Sequence, residues 1–234
     1  MARSGPSTPL SRDRVLAAAI DVADTSGLGD VTMRRVAAEL GVEAMSLYHH
    51  VSGKEDLLDG VVTALVGEIA AAAEPNGADW RENVRRRCLA AREVMLRHPW
   101  APALLSTRTT VPPAVYLHYE ALLAAMVDGG LSYALGHRAL HALGSLALGF
   151  DRGMFSPAAS GDLDEEATEE EFAALAEALP HLAAMAASEL HDVEDPTLDW
   201  CDSQAEFEFT LDLLLDGLER ARQADRPRAP ARRR

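Results

Sequence analysis

Three features of the chain predict an all-α fold. Apolar residues make up 48% of the sequence and aromatics only 5%, without runs of β-branched residues, a balance that suits packed alanine- and leucine-rich helices. Apolar residues recur at helical spacing, as in Leu57, Leu58, Val61, Val62, Leu65 and Ile69. Capping and breaking residues punctuate the chain at helix-length intervals. With 234 residues, one large or two modest domains can each bury a core.

Residues 1–10 are rich in Pro, Ser and Gly and read as a disordered arm. The first helix is expected over Ser11–Ser26, capped by Ser11 and ended by Gly27, with Val15, Ala19, Val22 and Ala23 facing inward. Thr32 then caps a short helix whose stripe is Val36, Ala37 and Leu40. Gly41 follows where a left-handed C-cap belongs, and Val42 closes the corner. A second short helix, Ala44–His50, turns Leu47 inward and leaves Ser46, Tyr48, His49 and His50 on other faces. Ser52-Gly53 breaks the chain, and a long helix starts at Lys54 and continues past Ile69. Two short helices across a glycine turn form a helix-turn-helix, whose second helix has the shape to enter a DNA major groove.

Further on, Asp79–His98 reads as an arginine-bearing helix stopped by Pro99. Trp100–Arg108 is short and apolar, Thr109–Pro113 a turn, and Ala114–Val127 and Tyr133–Met154 two helices hinged at Gly129-Gly130. An acidic loop over Asp162–Glu171 leads into helices at Phe172–Leu179 and His181–Leu190, split by Pro180. A last helix is expected over Asp199–Ala224. The domain expectation is a helix-turn-helix unit over 11–74, a larger helical domain over 78–224, and a disordered basic tail over 225–234.

Charge and cysteines narrow the possibilities. Of the net −15, residues 1–54 contribute nothing, with six basic and six acidic groups; residues 55–234 hold 16 basic against 31 acidic. The N-terminal unit is thus the relatively positive end, which an acidic body would orient toward phosphate. The longest uncharged stretch, Ala139–Phe150, falls far short of the roughly 18–20 residues that cross a bilayer. Two isolated cysteines, Cys88 and Cys201, and no apolar N-terminal segment fit a cytoplasmic protein without membrane association.

The run TMRRVAAELGV, then SLYHHV, then KEDLL, resembles the DNA-binding segment of tetracycline-repressor-type regulators. Weaker likeness continues through His98-Pro99, Ser106-Thr107-Arg108, Asp128–Leu131 and Phe207–Leu218. The resemblance implies a homodimeric transcriptional regulator, a repressor released from a palindromic DNA operator by an unidentified small-molecule effector. It assigns Tyr48 and His50 to DNA and Lys54 to phosphate. Arg34, Thr32, Ala44, Met45, Ser46 and His49 complete the expected DNA face, with Ala44, Met45, Ser46 and His49 best placed for base edges.

Arg87, Met95, Trp100, Thr107, Arg108, Tyr116, Tyr119, His141 and Phe150 are candidate walls of an effector pocket. Leu140, Leu143 and Ala147, with Phe207, Leu211, Leu214, Leu215 and Leu218, are candidates for a dimer interface. Where the tetracycline repressor holds drug and magnesium, this chain carries Ala70, Arg87, an apolar residue near Leu104, and Gly153. That departure argues against tetracycline and against a magnesium-dependent ligand, so no cofactor or metal is expected. His137 and His141 share a helix face without a third ligand at suitable spacing, and polar packing or a pocket wall is the favoured reading. Two alternatives stand beside this one: a regulator of the same fold that activates or takes no ligand, and a helical metal-dependent enzyme using His137, His141 and Asp151.

Overall fold

The computed structural model describes residues 9–73, 79–150, 177–189 and 203–225, and helices are the regular elements among them. They form two compact units, Met1–Gly149 with Leu214–Arg234, and Phe150–Leu213. In the first unit, α1 spans Arg12–Ser26, α2 Met33–Leu40, α3 Ala44–Leu47, α4 Lys54–Ala72 and α5 Trp80–Arg97. Then come α6 at Ala101–Thr107, α7 at Pro113–Asp128 and α8 at Tyr133–Gly149. A single 3-10 turn, Leu28–Asp30, bridges α1 and α2.

Local chemistry sets most of these boundaries. Ser11 Oγ accepts the Arg14 amide at 3.3 Å at the start of α1, and Asp79 Oδ1 accepts the Glu82 amide at 2.9 Å at the start of α5. Pro113 occupies the first turn of α7, where its missing N–H costs nothing. Helix α8 ends at Gly149 rather than Met154, and the residues from Asp151 lie outside the described ones.

The centre of this unit is α4, which packs against α1, α5, α6 and α7. Its Leu57, Leu58, Val61, Val62, Leu65, Val66 and Ile69 are all buried, so apolar residues occupy most of its circumference. A helix apolar on several faces belongs inside a core rather than on a surface. One cluster accordingly joins Val15, Val22, Val36 and Leu47 to Ala91, Val94, Ala101 and Leu104. The helix-turn-helix and the helices behind it share one hydrophobic core.

In the second unit Glu177 and Ala178 are helical, Leu179 breaks the helix as expected, and a helix α9 covers Pro180–Glu189 with Pro180 as its first residue. The last helix, α10, runs Ser203–Asp225 and passes from the second unit into the first at Leu214. The Phe150 and Phe207 rings meet edge-on at 5.4 Å. Of the residues expected at a dimer interface, Leu143, Phe207, Leu211 and Leu215 are buried within the single chain. Their side chains are covered by the chain itself, unlike the half-buried members of the expected interface. Leu140, Ala147, Leu214 and Leu218 remain half-buried, and Phe209 and Leu213 are exposed on α10. The acidic loop, Phe172 and the basic tail from Arg226 lie outside the described residues.

Candidate nucleic-acid interface

The turn between α2 and α3 follows from its sequence. Thr32 Oγ1 accepts the Arg35 amide at 3.2 Å, capping α2. At the other end Gly41 takes φ 67°, a left-handed conformation that glycine adopts without a Cβ penalty. Its amide bonds to Ala38 O at 3.1 Å, and the Val42 amide bonds to Ala37 O at 3.0 Å. These two bonds close the α2 carbonyls and turn the chain. Val42 packs on the core, and fully buried Leu47 pins α3.

The reading segment is tighter than expected. Only Ala44–Leu47 is α-helical. Tyr48, His49 and His50 continue it through i→i+3 bonds of 3.3, 3.4 and 2.8 Å to Met45, Ser46 and Leu47, the pitch of a 3-10 turn. Val51 is buried directly after and pulls the chain back to the core, which is why the regular helix cannot run on to His50. Around this tight segment Met45 is 73% exposed, and Tyr48 and His49 are also exposed. Ala44, Ser46 and His50 are half-buried. Thr32, Arg34, Arg35 and Lys54 stand exposed beside them, and the three cations have no carboxylate partner among the described residues.

A clasp behind this face had no signal in the sequence. Arg12, at the start of α1, donates from Nη1 to His50 O at 2.8 Å and from Nη2 to Asp56 Oδ1 at 2.6 Å. Asp56 Oδ2 accepts the Ser52 amide at 2.7 Å. The hydrogen bond from Arg12, then that from Ser52, holds the Asp56 carboxyl down at about 2. The partners lie 44 residues apart, so no local spacing could reveal them. Arg12, counted as one of the basic groups of the head, is thereby neutralised and orients the reading segment instead.

Three further ties fasten the head to the helices behind it. His98 Nδ1 and Trp100 Nε1 meet one oxygen of Asp24, on α1, at 2.8 and 2.7 Å. Arg97 Nη1 reaches Glu68 on α4 at 2.5 Å. Arg108 directs Nε and Nη2 to Asp59 Oδ1 at 2.8 and 2.7 Å, and Nη2 to Glu55 Oε2 at 2.9 Å. Of the pocket candidates, Trp100 and Arg108 thus commit their polar groups to Asp24 on α1 and to Asp59 on α4. Thr107 bonds back to its own helix through Ala103 O and Leu104 O and is exposed.

The remaining pocket candidates stand on α5, α7 and α8 and at the residue after α8. Met95 packs on the core, Tyr116 and Tyr119 are exposed on α7, and His141 is exposed with its ring 4.8 Å from His137. Arg87 is half-buried on α5, and Phe150 lies in the second unit. A hollow of about 200 Å³ lies between Ser132, Leu135, Arg138, Ala221 and Asp225. The Cys88 thiol is buried and pushed up to about 12, out of reach of thiolate chemistry.

A capped helix, a left-handed glycine turn and a core-anchored reading segment with an exposed, cation-flanked face define a helix-turn-helix protein. Residues 15–61 match the family described as bacterial regulatory proteins, tetR family, and residues 72–222 match the tetracyclin repressor-like C-terminal domain. The chain belongs to the tetR family of transcriptional regulators. It is 37% identical over 125 residues to an HTH-type transcriptional regulator of Saccharopolyspora erythraea, covering 53% of this chain and 52% of that protein. Identity to the HTH-type transcriptional repressor DrrR1 of Streptomyces coeruleorubidus is 34%, covering 55% of this chain and 47% of that one. The chain spans about half the length of these curated relatives. With the tetracycline repressor protein class G of Vibrio anguillarum it shares 27% identity across 93% of this chain and 97% of that one.

Solved structures are similar over most of the chain. A possible TetR family transcriptional regulator from Streptomyces coelicolor A3(2) superposes with a TM-score of 0.68 at 30% identity, covering 90% of this chain and 100% of that one. ActR of Streptomyces coelicolor in complex with actinorhodin gives 0.65 at 25% identity, covering 92% and 97%.

Proposed function

We propose that this protein is a homodimeric transcriptional repressor acting in the cytoplasm, released from a palindromic operator when a small molecule binds its larger helical part. The observation that carries the reading is the exposed face of Met45, Tyr48 and His49, flanked by Arg34, Arg35 and Lys54 and held from behind by buried Leu47. Met45 and Ala44 suit thymine methyls, Ser46 and His49 base-edge hydrogen bonds, and Tyr48 and Lys54 phosphate. Thr32 serves the face by capping α2, and His50 by lending its carbonyl to Arg12.

Dimerisation has a physical motive, since one short reading segment covers few base pairs and two half-sites about 34–36 Å apart multiply specificity. The effector reading is supported by a relative of similar fold, ActR, solved with actinorhodin. A ligand releases DNA only if it prefers the state whose reading segments are mis-spaced. The ties of Arg108 and Arg97 to α4 are the route by which such a preference would reach the head.

Selection of bound duplexes from a random pool tests the reading, with a palindrome as the expected product. Replacing Lys54 with Ala should weaken binding to that duplex and lower the salt slope by about one unit, because one phosphate contact is lost. A selected site without dyad symmetry, or an unchanged salt slope together with undiminished affinity in a Tyr48→Ala, Lys54→Ala variant, would overturn it.

A further inference from the structure

Two groups on facing helices are left in a state that neither can have chosen for stability alone. His118, on α7, buries its Nδ1 completely and gives it no hydrogen-bond partner. Arg87, on α5, is half-buried and carries no carboxylate partner among the described residues. The two helices pack against one another. Burial first, and then the Arg87 charge, pushes the His118 pKa down. Burial, and then Arg86, pushes the Arg87 pKa down. The carboxylate nearest in sequence, Glu82, faces Arg86 at 3.8 Å.

Buried polar atoms are normally satisfied, so an orphaned imidazole nitrogen beside an unpaired guanidinium marks a place where a partner is missing. An anion is the partner that fits both. It accepts from the guanidinium fork in two parallel bonds and from an imidazole N–H, and its charge offsets the desolvation of both groups. Arg87 brings one positive charge and His118, its pKa held down, brings none near neutral pH, which suits the single charge of a carboxylate better than the two of a phosphate monoester. The Tyr119 ring lies 6.0 Å from the His118 ring and stands partly exposed, which offers an aromatic surface to the body of such a molecule.

We propose that Arg87 and His118 form a recognition site for an organic carboxylate, with the carboxylate bound between α5 and α7. This rests on the reading that the larger helical part takes a small molecule, and it names the chemical class of that molecule. The site is built from positions that neither the helix-turn-helix nor the ties to α4 employ.

The test uses the full chain without DNA. Benzoate, naphthoate and decanoate are titrated by calorimetry alongside their neutral amides. At least one acid should bind at one equivalent per chain and at least about tenfold tighter than its amide, the loss expected when a charge-assisted hydrogen bond is removed. Arg87→Gln and His118→Phe should each weaken that acid by about tenfold or more, and Arg87→Lys should retain part of the affinity. The acid–amide comparison in the unaltered chain carries the test where a variant fails to fold. Equal binding of acid and amide, no binding by any acid, or undiminished affinity in a folded Arg87→Gln variant would overturn the proposal. Release of DNA is read separately on the operator complex. An acid that binds through Arg87 without releasing DNA upholds the carboxylate site and counts against the effector reading.

Discussion

Arg108 offers the most direct measure of how firmly the helices behind the head grip α4. Its side chain is 7% exposed, while its partners differ: Asp59 is 33% exposed and Glu55 is 75% exposed. The Glu55 contact is a surface pair, worth between nothing and about 1 kcal/mol. The Asp59 contact uses Nε and Nη2 together, and a hydrogen bond between charged groups contributes about 1.5–3 kcal/mol. Breaking a fully buried pair costs about 3–5 kcal/mol, but Asp59 is open enough to rehydrate when its partner leaves. Arg108→Ala should therefore destabilise the chain by about 2 kcal/mol. Urea unfolding at fixed protein concentration reads this as a lower midpoint with an unchanged slope. Combining Arg108→Ala with Asp59→Ala should give a coupling of about 1–2 kcal/mol, and Glu55→Gln a change of no more than about 0.5 kcal/mol. A loss below about 0.5 kcal/mol for Arg108→Ala, or a Glu55 effect as large as that of Asp59, would refute the reasoning.

Three other perturbations have defined outcomes. Asp56 is held at about 2 in the fold against 3.8 free, so its contribution is present above pH 4 and is lost as pH falls through the folded value; because the pair is largely solvated, the unfolding free energy from urea titrations should fall by about 1 kcal/mol less between pH 4 and pH 2 in Arg12→Ala than in the unaltered chain. Asp24→Ala removes the acceptor of both His98 and Trp100, leaves the buried His98 without its partner, and should cost about 1–3 kcal/mol by the same unfolding assay. A Cβ at Gly129 would stand 2.4 Å from Trp80 Cβ, an atom fixed to its backbone, so Gly129→Ala should lose about 1–3 kcal/mol; Gly136→Ala meets only the flexible Leu123 end and should be tolerated far better in a thermal melt.

Local signals in the sequence set the helix ends and the turn, and that is why those were legible. Thr32, Gly41, Ser11 and Asp79 act within three or four residues of themselves, and each cap or turn forms where its residue type demands. At the C-terminal end of the reading segment local signals favour helix to His50, but the helix stops at Leu47, with Val51 buried just beyond. The ties were illegible for another reason. Asp24 meets His98 across 74 residues, Asp59 meets Arg108 across 49, and Asp56 meets Arg12 across 44. A resemblance could carry Arg108 toward a pocket role, but only the fold shows its guanidinium taken up by Asp59. The same holds for Leu143, Phe207, Leu211 and Leu215: period alone shows an apolar face, and cannot say whether the chain or a copy of it covers that face.

The placement of the ties along α4 gives the proposed release of DNA a definite geometry. Lys54 begins the helix beside the reading segment, Asp59 takes the load from Arg108, and Glu68 is held by Arg97. At 1.5 Å per residue, Lys54 stands about 21 Å from Glu68 and Asp59 about 13.5 Å from it. A stiff helix pivoting at Glu68 would move its Lys54 end about 1.6 times as far as a displacement applied at Asp59. The shared core argues for such stiffness, since the stripe of Leu57, Val61, Leu65 and Ile69 and the adjoining Leu58, Val62 and Val66 are all packed into it and cannot bend independently. Arg12 carries the motion onward by binding His50 and Asp56 together, so the reading segment and the start of α4 move as one piece. On the proposed reading, a ligand that shifted the loop at Arg108 slightly would change the spacing of two paired heads. A chain in which Arg108 is cut from Asp59 would keep its DNA face but lose its means of being told to let go.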